Sequence, residues 1–138
     1  MQAYLEHANL TFADLDAALT FFEIALPEYK VRGSGGGNGE RKWIHIGTDA
    51  TYLCLNDAAE AGETGKNYAR PGLNHLGFVV EDVEAIAQRL LNAGYTRSYP
   101  KQVQPSRIRD YFLDHEGNEY EFVQYLTAVA AERNDYSD

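Results

Sequence analysis

The sequence predicts an α+β fold: two paired βαβββ modules forming a curved, mostly antiparallel eight-stranded sheet around a cavity. Three observations lead there. First, Gly72 to Glu84 reads as a strand running into a helix. Leu76, Phe78 and Val80 alternate with His75, Gly77 and Val79; Asp82 is a good N-cap; Val83, Ile86, Ala87 and Leu90 follow at helical spacing. Second, the same device stands 68 residues earlier. There His7, Leu10, Phe12, Asp14, Leu15, Ala18, Leu19 and Phe22 match His75, Phe78, Val80, Asp82, Val83, Ile86, Ala87 and Leu90. A register kept at that many positions without a gap indicates a duplicated unit. Third, a chain of 138 residues is one domain by length. Neither half has enough apolar area to stand alone, so the halves should pair.

The elements follow in order. Residues 3–12 are the first strand, ending at the Asp14 cap. A helix runs from about Leu15 to Leu26 and stops near Pro27, whose predecessor is biased away from helix. Tyr29 to Arg32 begins the second strand. Residues 33–39, Gly-Ser-Gly-Gly-Gly-Asn-Gly, read as a mobile hairpin loop. A phosphate cradle is the sharper alternative and fails, because neither G-x-G-x-x-G register is complete and a strand follows where a helix is needed. Lys42 to Ile46 and Thr51 to Leu55 are the third and fourth strands, closing a module of about residues 3–57. Residues 58–71 are small and polar and form the linker.

The second module, about residues 72–126, repeats the order. Its helix ends near Ala93, before Gly94. Tyr95 to Tyr99 is the sixth strand and Pro100 to Ser106 a loop. Ile108 to Leu113 and Glu119 to Tyr125 are the last strands, joined by a turn over Asp114 to Asn118. The tail turns polar after Ala131 and reads as a short, fraying helix.

Composition narrows the function. Twelve basic residues against twenty-one acidic give a net charge of −9, which argues against phosphate-backbone binding, since a nucleic-acid binder carries a basic face. No apolar run approaches the roughly 18 residues of a membrane span. Met1 to Glu6 lacks the regions of a signal peptide. A single cysteine, Cys54, cannot form an internal disulfide and fits a reducing, cytoplasmic setting.

His7 and His75 occupy the same step of the duplicated unit, on the strand face away from the helix. A lone strand histidine is ordinarily a hydrogen-bonded core or surface residue; its recurrence singles out this pair. Glu121 projects on the matching side of the last strand, although on composition it is as plain as the solvated strand glutamate expected at 119. Two imidazoles and a carboxylate are a usual ligand set for one divalent transition metal: Fe, Mn, Zn, Ni or Co. Substrate contacts are expected from Asn9, on the face of His7, and from Trp43, Tyr52 and Tyr111 on inner strands, where aromatics otherwise form core. Lys101, Ser106, Arg107 and Arg109 could meet an anionic or oxygen-rich substrate.

Three stretches, Glu6 to Leu10, Leu73 to Phe78 and Tyr111 to Glu121, resemble the vicinal oxygen chelate superfamily. That superfamily includes glyoxalase I, extradiol dioxygenases, bleomycin-binding proteins and fosfomycin-resistance thiol transferases. The third stretch is similar to its D-P-D-G-N-x-x-E ending, with His115 in place of the usual proline. The resemblance covers about residues 3 to 125. It implies a single domain of paired βαβββ modules and a metal held by His7, His75 and Glu121. It also implies a homodimer acting on a small substrate by bidentate oxygen chelation, in a dioxygenase-like or lyase/isomerase-like reaction. The alternatives are a fosfomycin-type thiol transferase and a metal-free drug- or metabolite-binding module. Glyoxalase I carries a fourth ligand, a glutamate on strand four. The 68-residue offset from Glu121 lands on Leu53, and a slip of one gives Tyr52 or Cys54. No carboxylate lies between Ala50 and Leu55, so a standard four-ligand glyoxalase I is not expected.

Overall fold

The structure is a computed structural model that describes residues 1–60, 62, 68 and 71–133. The chain divides into two compact units, Met1–Glu63 and Thr64–Asp138. Each contains one βαβββ module. The α+β expectation holds, with the eight strands arranged as two mixed four-stranded sheets. Much of the expected linker and the end of the tail, residues 134–138, lie outside the described residues.

In the first unit, β1 (His7–Phe12), α1 (Leu15–Ala25), β2 (Lys30–Gly37), β3 (Glu40–Gly47) and β4 (Tyr52–Asp57) give the sheet order β1-β4-β3-β2. The β1–β4 pair is parallel and the other two pairs are antiparallel. The Asp14 side chain accepts the Ala17 N–H at 2.9 Å and starts α1. Leu15, Ala18, Phe21 and Phe22 then bury the helix against β1 and β4, with Leu53 and Leu55 beneath. Full burial of a side chain such as Phe22 contributes about 1.5–3 kcal/mol.

The glycine run is strand, which corrects the mobile loop. β2 continues to Gly37, and the turn is confined to Asn38 and Gly39, with φ of 53° and 94°. Two positive φ values on an Asn-Gly pair suit a tight hairpin whose twist matches its strands. The glycines serve packing: a Cβ on Gly35 would lie 2.8 Å from the Trp43 indole.

In the second unit, β5 (His75–Val79), α2 (Val83–Asn92), β6 (Arg97–Gln104), β7 (Arg107–Leu113) and β8 (Glu119–Tyr125) repeat the order as β5-β8-β7-β6. The cap repeats too, Asp82 accepting from Ala85 at 2.9 Å. Gly94, at φ 91°, ends α2. A second correction falls on residues 100–104, expected as loop and found in β6. β6 is an edge strand, where a proline need not donate; Pro100 sits at a register shift between Tyr99 and Gln102. The tail forms α3 (Ala130–Arg133).

Candidate functional site

The last strand is placed by the turn before it. Asp114 is buried; its Oδ1 accepts the N–H groups of Glu116 and Asn118, and its Oδ2 accepts from the Asn118 amide and the Tyr120 hydroxyl. Burial pushes the Tyr120 hydroxyl pKa well up, so it remains a donor. Gly117 takes φ 79°. This is the physical content of the Asp–x–x–Gly–Asn signal: one carboxylate gathers the turn and fixes the phase of β8.

That phase decides which side chains meet. Tyr120 and Phe122 pack in the core, and the Gln124 side chain accepts the Val83 N–H at the start of α2. The even-numbered residues therefore face the helix, and Glu119 and Glu121 face away from it. His75 pairs with Glu119 across the parallel ladder, and Gly77 with Glu121. His75 Nε2 lies 3.1 Å from Glu121 Oε2. The Tyr111 hydroxyl donates to Glu121 Oε1 at 3.0 Å, and Arg109 approaches the same oxygen at 4.0 Å. Burial, then the negative charge of Glu121, pushes the Tyr111 pKa up to about 12. With no side chain, Gly77 leaves room here: a Cβ would come within 3.8 Å of Glu121 Oε2.

Two participants escaped the sequence reading. Glu119 is no solvated strand glutamate; its side chain is 14% exposed, as is that of Glu121, and its Oε1 lies 3.4 Å from His75 Nδ1. Tyr68 donates to Glu119 Oε1 at 2.5 Å and lies 3.4 Å from His75 Nδ1. The hydrogen bond to Glu119, with burial and carboxylate charge behind it, pushes the Tyr68 pKa up to about 12. Tyr68 and Glu119 also line a cavity of about 390 Å³ with Asn74, Arg97, Ser98, Leu113 and Gly117. Strand alternation could have flagged Glu119, since 119 and 121 share a face. Nothing local pointed to Tyr68.

On the first unit, the sheet face away from α1 is aromatic. His7 is exposed, bonds Glu6 Oε2 through Nδ1 at 3.0 Å, and stacks on Tyr52 at 4.8 Å. His45 lies 5.3 Å from Tyr52 and 4.7 Å from Trp43. Asn9 accepts from the Asn56 amide at 2.6 Å. Of the expected substrate contacts, Arg109 and Tyr111 join the His75–Glu121 cluster, and Asn9, Trp43 and Tyr52 share the His7 face. Lys101 joins neither, being ion-paired to Glu84 on α2 at 2.6 Å.

The ladders also settle the strand-four question. Glu121 pairs with Gly77 and Tyr111; in the first unit Cys54 pairs with Asn9 and His45. Cys54, not Leu53, is thus the counterpart of Glu121, and His45 that of Tyr111. Cys54 is buried, and desolvation raises its pKa against the opposing pull of Arg32. Among the described residues, no group of three or more His, Cys, Asp or Glu side chains is gathered closely enough to hold a metal. None of the described helices is long and apolar enough to cross a membrane.

A family model described as "Glyoxalase/Bleomycin resistance protein/Dioxygenase superfamily" matches residues 4–122. No curated protein matches the chain. Among solved structures, a glyoxylase/bleomycin resistance protein/dioxygenase domain from Frankia sp. is 25% identical, with a TM-score of 0.75 over 91% of this chain and 99% of that one. A glyoxalase family protein from Bacillus cereus is 18% identical, with a TM-score of 0.77 over 92% and 97%. A mutant of the fosfomycin resistance protein FosX from Listeria monocytogenes, complexed with Mn(II) and 1S,2S-dihydroxypropylphosphonic acid, is 19% identical, with a TM-score of 0.69 over 88% and 92%.

Proposed function

Since the chain belongs to the glyoxalase/bleomycin resistance protein/dioxygenase superfamily, we propose that it is a metal-dependent enzyme acting on a small molecule with two neighbouring oxygens. The observation that supports this most is the approach of His75 Nε2 to Glu121 Oε2 at 3.1 Å, on the face turned from the helix. An imidazole nitrogen and a carboxylate oxygen so placed fit a divalent ion of borderline hardness. His75 and Glu121 would hold it; His7, the duplicate of His75, is the third ligand expected from the sequence. When bound, the ion supplies Lewis-acid stabilisation of negative charge developing on the substrate oxygens.

The chain's own groups do the rest. By donating to Oε1, Tyr111 keeps Oε2 of Glu121 turned toward His75. Arg109 offsets the carboxylate charge and presents a cation to an acidic substrate. Asn9, Trp43 and Tyr52, on the His7 face of their own sheet, are the further substrate contacts expected from the sequence. The diol phosphonate and Mn(II) in the FosX complex are a pairing of the same kind, an oxygen-rich anion with a divalent ion. With Cys54 where a second glutamate would stand, dioxygenase-, lyase- or epoxide-opening chemistry suits the site better than glyoxalase I isomerisation. A second reading, a metal-free drug-binding module, is favoured by the aromatic face of His7, Tyr52, His45 and Trp43, in which His7 stacks on Tyr52 and the other rings lie tilted against them.

Metal analysis separates the two. Protein purified without chelator should carry one divalent metal per chain. His75→Ala and Glu121→Ala proteins that keep their circular dichroism should lose it. Full metal retention in both variants would refute the assignment.

A further inference from the structure

Resting on the metal-site reading, we infer that Glu119, held by Tyr68, is the positioning residue that orients the His75 imidazole. The ring has two nitrogens, and the structure gives each a different neighbour. Nε2 faces Glu121, while Nδ1 faces Glu119 at 3.4 Å. With an ion at Nε2, a carboxylate beside Nδ1 would keep the ring proton there and leave the Nε2 lone pair for the ion. The carboxylate needs its own anchor, because a glutamate at the start of a strand has several rotamers. Tyr68 provides it: one hydroxyl bonds Glu119 Oε1 and also lies 3.4 Å from Nδ1, so phenol, carboxylate and imidazole form a closed triangle. The 14% exposure of Glu119 makes that restraint stronger than one between solvated groups.

The first unit repeats the pattern in weaker form. His7 Nδ1 meets Glu6 Oε2 at 3.0 Å, but the Glu6 side chain is 58% exposed and lies next to His7 in sequence. Both histidines therefore turn Nδ1 to a carboxylate, and only that of His75 is partly buried. From the geometry, Glu119 matters more than Glu6.

The test uses Zn²⁺, which is diamagnetic, with the full chain. Zn²⁺ affinity is measured by chelator competition for the unaltered protein and for Glu119→Gln, Tyr68→Phe, Glu6→Gln, His75→Ala and Glu121→Ala. The His75 Nδ1 proton is followed by ¹⁵N-edited NMR in the Zn²⁺-loaded protein. Loss of affinity by about 10–100-fold in Glu119→Gln, a smaller loss in Tyr68→Phe, and an upfield shift or disappearance of the Nδ1 proton in both are expected. Glu6→Gln should weaken binding less than Glu119→Gln. If Glu119→Gln and Tyr68→Phe bind as tightly as the unaltered protein, with the Nδ1 signal in place, while His75→Ala and Glu121→Ala do not bind, the orienting role is overturned and the metal site stands. If His75→Ala and Glu121→Ala also keep full affinity, both fall. Tyr68→Phe removes one oxygen from an exposed side chain, so a folding defect in Glu119→Gln would leave a clean second variant.

Discussion

Cys54 shows how one residue can be misread by a uniform offset. The duplicated strand and helix hold a spacing of 68, but the last strands do not: His7 pairs with Tyr52, and His75 with Glu119 rather than Tyr120. One residue of difference flips a β-strand's faces. Leu53, the offset's choice, is 4% exposed and packs under α1. Leu53→Glu should therefore destabilise the protein by several kcal/mol, about the scale of an unpaired buried charge, and lower the melting temperature sharply. Cys54→Glu puts the carboxylate on the face of His7, within the field of Arg32, which would partly offset its charge, and should cost less although Cys54 is also buried. Equal melting temperatures for the two variants would contradict the register. The unaltered protein, lacking that glutamate, should turn over the hemithioacetal of methylglyoxal and glutathione negligibly with Ni, Co, Zn or Mn. A general base is typically worth about 10²–10⁴-fold, so robust turnover would point to Cys54 or His45 in the missing role. The approach of His75 to Glu121 was legible because histidines repeated and a turn motif preceded Glu121. Tyr68 was illegible because its hydrogen-bond acceptor, Glu119, lies 51 residues away in sequence.

At the scale of elements, local signals served wherever they were dictated locally. Both long helices start at the aspartates that cap them; α2 buries the whole expected stripe, and α1 buries Leu15, Ala18 and Phe22 of it, with Phe21 and Ala25 where Leu19 was expected. The polyglycine strand was missed because composition favours a loop, and the need for small residues lies in tertiary contacts: the Trp43 indole facing Gly35 and the Arg41 carbonyl beside Gly36. β6 was cut short at Pro100 for the same kind of reason: an edge strand tolerates what an inner strand does not. The hairpin makes a graded expectation. Gly36 and Gly37 both have positive φ, 75° and 90°, a backbone strain of roughly 1–2 kcal/mol for a residue with a side chain. A Cβ on Gly36 would also meet the Arg41 carbonyl oxygen, whereas one on Gly37 meets nothing within 4 Å. Urea denaturation should rank Gly36→Ala clearly less stable than Gly37→Ala; the reverse order would refute this packing.

For the molecule as a whole, the duplication was legible because it is written twice; the division into two separately hydrogen-bonded sheets was not. Each sheet is open and ends in two edge strands: β1 and β2 in one, β5 and β6 in the other. Apolar groups stand out along them, with Val31 on β2 55% exposed, Val79 on β5 71% and Val103 on β6 69%. Unpaired edges with exposed apolar residues are ordinarily covered, and a homodimer is the assembly we expect. Light scattering at micromolar concentration should return twice the chain mass of 15.5 kDa; a monomer mass would reject it.

The parallel pairing of β1 with β4, and of β5 with β8, has a consequence for how the protein assembles in time. Each unit's other three strands are neighbours in sequence and join through short turns. The parallel pair instead closes a loop of about 45 residues, and loop closure is entropically unfavourable. The strands carrying His7 and His75 should thus be the last secured on folding and among the first released in native fluctuations. An ion that binds only the closed form would lock them by mass action. Amide hydrogen exchange should therefore slow most on β1 and β5 when metal is added, and the mid-sheet strands β3 and β7 should change least.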